Sequence, residues 1–183
     1  MAVLILHGIN GHAGIHWQQW LQKDLVKRGY EVIMPDLPDP DKPDRKKWLK
    51  TVRKLVKNLN HKDLVIVGHS LGVVSALDYL EKTKTPIRAL LSISGFFQNY
   101  GNSLNNYFLK EKDINFKKVK ERVGESFVIY GDNDPFVPQS NLEELAKNLD
   151  VEPFIIAKAG HLNSEAGYTE FPMLVRIIEN LNR

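Results

Sequence analysis

Six short apolar runs limit what this 183-residue chain can fold into: Ala2-Leu6, Glu31-Met34, Asp63-Val67, Ile87-Ile93, Ser126-Tyr130 and Glu152-Ala157. None alternates between apolar and polar residues, as a strand with one wet face would. Unbroken runs of this length suit strands buried on both faces, which occur where helices cover both sides of a parallel sheet. Helical spacing fills the intervals. Trp48, Leu49, Val52, Leu55, Val56 and Leu59 form one stripe at i, i+3, i+4 spacing. Ser140 with Glu143 reads as a capping box opening a helix that carries Leu142, Leu145 and Leu149. Pro172 suits the first turn of a last helix packed through Leu174, Ile177, Ile178 and Leu181. The alternation predicts an α/β fold, a three-layer α/β/α sandwich on six parallel strands, as a single domain over 1–183.

Composition narrows the class. Hydrophobic content of 43% and charged content of 26% are those of a globular chain, and the net charge is only +3. The densest basic cluster, Arg45-Lys46-Lys47 with Lys50, Arg53, Lys54 and Lys57, reads as the solvated face of an amphipathic helix rather than a nucleic-acid site. With no cysteine, the chain has no disulfide, no thiolate metal site and no thiol nucleophile. The apolar start Met1-Leu6 lacks a charged leader and stops at His7-Gly8, too soon for a signal peptide or a spanning helix. The expectation is a cytoplasmic protein with neither a nucleic-acid nor a membrane partner.

The third run leads directly into Gly68-His69-Ser70-Leu71-Gly72, and a helical pattern (Leu71 to Leu80) starts at once. Gly-x-Ser-x-Gly between strand and helix is a nucleophile elbow: a turn sharp enough to strain the serine backbone and lift its hydroxyl above the sheet. Glycines at 68 and 72 remove the Cβ atoms that would clash there, and the positive end of the following helix lies beneath the hydroxyl.

A serine hydroxyl needs a base, usually a histidine oriented by a carboxylate. In elbow proteins the chain order is serine, acid, histidine. Only His161 lies downstream of Ser70, in Ala159-Gly160-His161 just past the last apolar run. Asp132 and Asp134 both follow the fifth run, so position alone does not separate them; Pro135 stiffens the turn after Asp134. An oxyanion would take the backbone N–H of Leu71, and a second from the loop His7-Gly8-Ile9-Asn10-Gly11, where Ile9 is the first choice and Asn10 the second. His12 and His16 are four apart, but no Glu follows His12 and Gly14 interrupts a helix, so no metal is expected. The glycines after the first run match no nucleotide-binding spacing, so no cofactor is expected either.

About twenty residues separate the fourth run from a helix near Phe116, several times the usual ~2–6. They include Phe96, Phe97, Tyr100, Tyr107 and Phe108. The segment over about 95–115 is either a small lid over the catalytic end of the sheet or a surface loop anchored by its aromatics. Asn10, His16, His69, Phe96 and Phe97 are the expected lining of a substrate pocket. His7 and His69 adjoin the reacting backbone and are read as structural imidazoles, not bases. Trp17, Trp20 and Leu21 are the expected buried stripe of the first helix.

Together His7-Gly8, Gly11, His16-Trp17-Gln18-Gln19-Trp20-Leu21, the elbow, Gly131-x-x-Asp134-Pro135-Phe136-Val137-Pro138 and Gly160-His161-Leu162-Asn163 resemble the small serine hydrolases related to retinoblastoma-binding protein 9, in the α/β-hydrolase superfamily. The resemblance implies Ser70, Asp134 and His161 as triad, and a reduced sheet that lacks the superfamily's usual first two strands. It implies hydrolysis of a small-molecule ester. Amide or thioester hydrolysis would use the same triad, and a non-catalytic interaction module on this fold is the alternative from another class. The Leu-x-Cys-x-Glu sequence associated with the family's name cannot occur without cysteine.

Overall fold

The computed structural model describes residues 1–182. Its strands are β1 (Ala2–Leu6), β2 (Glu31–Ile33), β3 (Leu64–His69), β4 (Ile87–Ile93), β5 (Val123–Gly131) and β6 (Phe154–Ile156). They form one sheet in the order β2-β1-β3-β4-β5-β6, every pairing parallel. Its helices are α1 (Gln18–Lys27), α2 (Arg45–Val56), α3 (Leu71–Lys82), α4 (Asn106–Leu109), α5 (Phe116–Lys120), α6 (Gln139–Asn148) and α7 (Pro172–Leu181).

The lack of alternation in the strands now has its cause. Leu4, Leu6, Leu64, Ile66, Leu90 and Val128 face one core with residues of α2, α3 and α6. Their neighbours Val3, Ile5, Val65, Val67, Leu91 and Ile129 face a second core under α1 and α7. Both faces are dry over the central strands β1, β3 and β4, whereas the edge strands β2 and β6 are partly exposed. The apolar stripe of α2 buries Trp48, Val52 and Val56, and Asp44 caps it by accepting from the Lys47 N–H at 2.8 Å. Pro172 opens α7 as expected.

Two expectations are corrected. Ser140 and Glu143 form no capping box: Pro138 precedes the helix with its φ already fixed, no side chain caps it, and Gln139 instead donates to the Gly131 carbonyl at 3.1 Å. Arg45 does not belong to the solvated basic face. It is 3% exposed and donates to both oxygens of buried Asp78, at 2.7 and 3.0 Å. It also donates to the carbonyls of Phe108, Leu109 and Lys112. Lys112 joins from the rim, reaching Asp78 at 3.0 Å and Glu81 at 2.5 Å. Periodicity identifies the apolar stripe of α2 but not the acid that its neighbour α3 brings to the other side.

β1 and β3 are neighbours, yet the chain leaves β1 toward β2 on one side and returns to β3 on the other. Such a reversal opens a crevice at the carboxyl ends of the two strands, the place where open α/β sheets bind ligands. Among the described residues no helix is long and apolar enough to cross a membrane.

Arg45→Met leaves Asp78 buried without its principal partner and is expected to lower the unfolding free energy by about 3–5 kcal/mol in urea denaturation. Adding Asp78→Leu is expected to restore much of that loss, because no buried charge then lacks a partner.

Candidate active site

The crevice is a cleft of about 290 Å³ lined by Gly8, Ile9, Asn10, His16, His69, Ser70 and His161 among others. Ser70 stands at its floor with φ 53° and ψ −125°, a region that side-chain-bearing residues rarely enter. The geometry holds because the surroundings leave no other. The Ser70 N–H donates to the Ile93 carbonyl at 2.9 Å and the Ser70 carbonyl accepts from Val73 at 3.0 Å. A Cβ on Gly68 would come within 2.9 Å of Val73 Cα, and one on Gly72 within 2.5 Å of the His7 carbonyl. Gly8 is equally confined, for its Cβ would lie 2.9 Å from that of Ser70. The missing side chains let the start of α3 press against the end of β1, and Ser70 sits over the positive end of α3.

The strand-end loops of β5 and β6 are tied together by three consecutive side chains. Asp132 accepts from the Lys158 N–H at 2.7 Å and Asn133 from the Gly160 N–H at 2.8 Å. The fully shielded Asp134 carboxylate then accepts from His161 Nδ1 at 2.7 Å. Its second oxygen takes the N–H groups of Phe136 and Val137 at 2.9 and 3.1 Å. The two aspartates that position could not separate are thus separated by reach: Asp132 holds backbone, Asp134 holds the imidazole. With its proton on Nδ1, His161 has Nε2 free to accept. Among the described residues Ser70 Oγ has no hydrogen-bond partner; unliganded sites of this kind often tighten that bond only around substrate.

The two loop amides separate as well. The Asn10 N–H is taken by the Pro40 carbonyl at 2.7 Å. Among the described residues the N–H groups of Ile9 and Leu71 have no acceptor; Leu71 follows Ser70 in the chain and Ile9 lines the same cleft.

Three imidazoles, those of His7, His16 and His69, are held toward their neutral forms. Burial lowers the pKa of His7, whose Nδ1 donates to the Gly8 carbonyl at 2.8 Å while Nε2 accepts from the Leu37 N–H at 2.9 Å. Burial, then the nearby His161, lowers that of His16, whose Nδ1 accepts from the Ser164 N–H at 3.2 Å. His69 is pushed furthest below its ordinary value, by burial and then by His161.

The remaining expected site residues are dispersed. Asn10, His16 and His69 line the cleft, whereas Phe96 and Phe97 do not. Phe96 is 1% exposed in the core under α3, and Phe97 packs edge-on against Phe116 with ring centroids 4.6 Å apart. Their segment does wall the cleft, but through Tyr100, Asn102, Leu104 and Asn105. Ile15, Phe136, Val137, Asn163 and Glu165 also line it and were not legible from sequence. The one available signal was adjacency, since Phe136 and Val137 follow Asp134 and Asn163 follows His161.

A reduced parallel sheet with a strained serine at the β3–α3 turn is the architecture of an α/β hydrolase. The chain belongs to the serine hydrolase family, whose model matches residues 3–180. Over 178 residues it is 26% identical to YdeN of Bacillus subtilis (strain 168), spanning 96% of this chain and 93% of that protein. It is 25% identical to the serine hydrolase RBBP9 of Rattus norvegicus over 187 residues, 98% of this chain and 94% of that one. The crystal structure of the B. subtilis ydeN gene product superposes with a TM-score of 0.91, at 25% identity over 98% of this chain and 97% of that one. Fold and family support hydrolase activity.

The site stores strain, and Ser70→Gly is expected to release it. A serine in this backbone region costs about 1–3 kcal/mol, against about 0.5–1 kcal/mol of extra unfolded-state freedom for glycine. The variant should therefore unfold at a higher temperature. The depressed imidazoles set a pH dependence. His7, His16 and His69 bind a proton more readily unfolded, at the ordinary 6.5, than folded. Stability is therefore present above that value and is lost as pH falls below it, by up to about 1.4 kcal/mol per pH unit for each histidine. Urea denaturation midpoints should fall between about pH 7.5 and 5.5, with a shallower slope in His69→Gln.

Proposed function

We propose that the protein hydrolyses small carboxylic esters through Ser70, His161 and Asp134. The observation that carries this reading is the 2.7 Å bond from His161 to Asp134 at the edge of the cleft that holds the strained Ser70. In the proposed reaction Ser70 Oγ attacks the ester carbonyl while its proton passes to His161 Nε2. Asp134 keeps the ring oriented and offsets the charge that develops on it. The N–H groups of Leu71 and Ile9 receive the oxyanion. Collapse of the tetrahedral intermediate breaks the ester C–O bond, and His161 returns the proton to the departing alcohol. Water, deprotonated by His161, then attacks the acyl-Ser70 carbonyl; the bond to Oγ breaks, His161 returns the proton to Oγ, and the acid leaves.

The cleft supports a small, uncharged acyl group. At about 290 Å³ it is at the low end for small-molecule sites. Ile15, Leu104, Phe136 and Val137 offer apolar surface, and no lysine or arginine stands among the described lining residues to pair with a carboxylate or phosphate on the substrate.

Ser70→Ala is expected to reduce kcat on a short-chain p-nitrophenyl ester by about 10⁴-fold or more and to abolish labelling by a fluorophosphonate probe. Asp134→Asn should cost about 10⁴-fold in kcat, and Asp132→Asn less than about 10-fold, since it touches only backbone. Wild-type protein that neither turns over esters nor takes the probe would overturn the reading, and an Asp132 variant as damaged as the Asp134 one would overturn its acid.

A further inference from the structure

His161 sits in a strained turn whose supports come from elsewhere in the fold. Gly160 and Leu162, on either side of it, both have positive φ, 54° and 51°. Leu162 is a fully buried, side-chain-bearing residue in the left-handed region, so the turn persists only where its surroundings over-determine it. One flank is held by Asn133 on the Gly160 N–H and by Asp134 on the ring. The other flank is held through two consecutive carbonyls. That of His161 accepts from His69 Nε2 at 2.9 Å, and that of Leu162 accepts from Trp17 Nε1 at 2.9 Å. Both donors are buried, at 3% and 0% exposure, so water cannot replace either bond. The two donor rings pack edge-on with centroids 6.0 Å apart, and the His69 ring lies 4.9 Å from that of His161.

We propose that His69 and Trp17 are positioning residues that set the height of the His161 ring over Ser70, His69 being the principal one. The inference rests on the triad reading above. Its consequence is that the dipeptide His69-Ser70, at the end of one strand, carries the nucleophile and also fixes the backbone of its base. A carbonyl only accepts, so His69 must carry its proton on Nε2 and leave Nδ1 bare. The groups facing it are His161 from the loop after β6, His16 and Trp17 from the approach to α1, and His7 from the loop after β1. No carboxylate is among its hydrogen-bond partners; the His161 carbonyl favours the charged form, and burial with the neighbouring His161 outweighs it. That suits its place, because a second cation would oppose the proton that His161 takes from Ser70.

The test compares His69→Met, which keeps bulk and removes the donor, with His69→Gln, whose amide N–H can take the place of imidazole Nε2. The methionine variant is expected to lose about 10- to 100-fold in kcat on the p-nitrophenyl ester, with KM changed less than about 2-fold and fluorophosphonate labelling slowed in proportion. The glutamine variant is expected to recover most of that loss. Methionine with wild-type kcat, or glutamine no better than methionine in two folded proteins, overturns the proposal. Should the methionine variant fail to fold, Trp17→Phe carries the test: it retains an aromatic ring, removes the N–H, and must lower kcat while leaving KM in place. Failure of the triad reading shows differently, as Ser70→Ala that still turns over ester and still takes the probe.

Discussion

The backbone of Ser70, at φ 53° and ψ −125°, is the constraint on which the surrounding structure is organised. A single strained residue can be held only if its neighbours permit no alternative, and here they do so in sequence. Close approach of α3 to the end of β1 requires glycine at 68 and 72 and leaves α3 threaded against the sheet, buried at every position from Leu71 to Leu80. That burial carries Asp78 into the interior, where a lone carboxylate would cost several kcal/mol. Arg45 answers it from α2, and its remaining N–H groups bind the carbonyls of Phe108, Leu109 and Lys112. Those residues close the segment whose Tyr100–Asn105 stretch walls the cleft. The strain at the nucleophile position and the placement of the cleft wall are two ends of one chain of contacts.

Electrostatically the site gathers the shielded Asp134 carboxylate, Glu165 in the cleft lining and four imidazoles. Only His161 has a carboxylate as partner; His7, His16 and His69 meet backbone groups or a hydroxyl and are pushed toward neutrality by burial. In the proposed reaction only the imidazole held by Asp134 takes a proton, and the others serve as fixed dipoles. This division follows from which side chains reach Asp134, and the sequence spacing of the histidines does not reveal it.

The central strands were legible because burial on both faces leaves an unbroken apolar run, the partly exposed edge strands β2 and β6 by their apolar residues alone, and the elbow because a glycine-flanked serine between strand and helix has few other uses. Chain order alone singles out His161, and the fold brings it to Asp134. What escaped the sequence shares one cause: it is decided across the fold, by reach. Asp132 and Asp134 are equivalent until the loop beyond β6 is in place. Arg45 has the spacing of an exposed basic face until α3 brings Asp78 opposite it. Phe96 and Phe97 belong to the segment that walls the cleft, yet they turn into the core and leave polar neighbours to face it. The starting residues of β5, Val123 to Glu125, are half-buried or exposed and so lack the apolar signature of the strand they extend.

His161, the proposed base, hangs from the weakest part of the sheet. β6 is an edge strand of three residues with one neighbour, and two of its side chains, Phe154 and Ile155, are exposed. Such a strand cannot by itself hold the loop that follows it to the tolerance that proton transfer requires, where an error of about 1 Å costs orders of magnitude in rate. The rigidity is therefore imported. Asp132, Asn133 and Asp134 supply it from β5, His69 from the central strand β3, and Trp17 from the approach to α1. Five side chains from three separate parts of the chain converge on residues 158–162. Ser70 and His161 thus take their positions from the same rigid centre of the sheet, although one lies at its middle and the other beyond its edge.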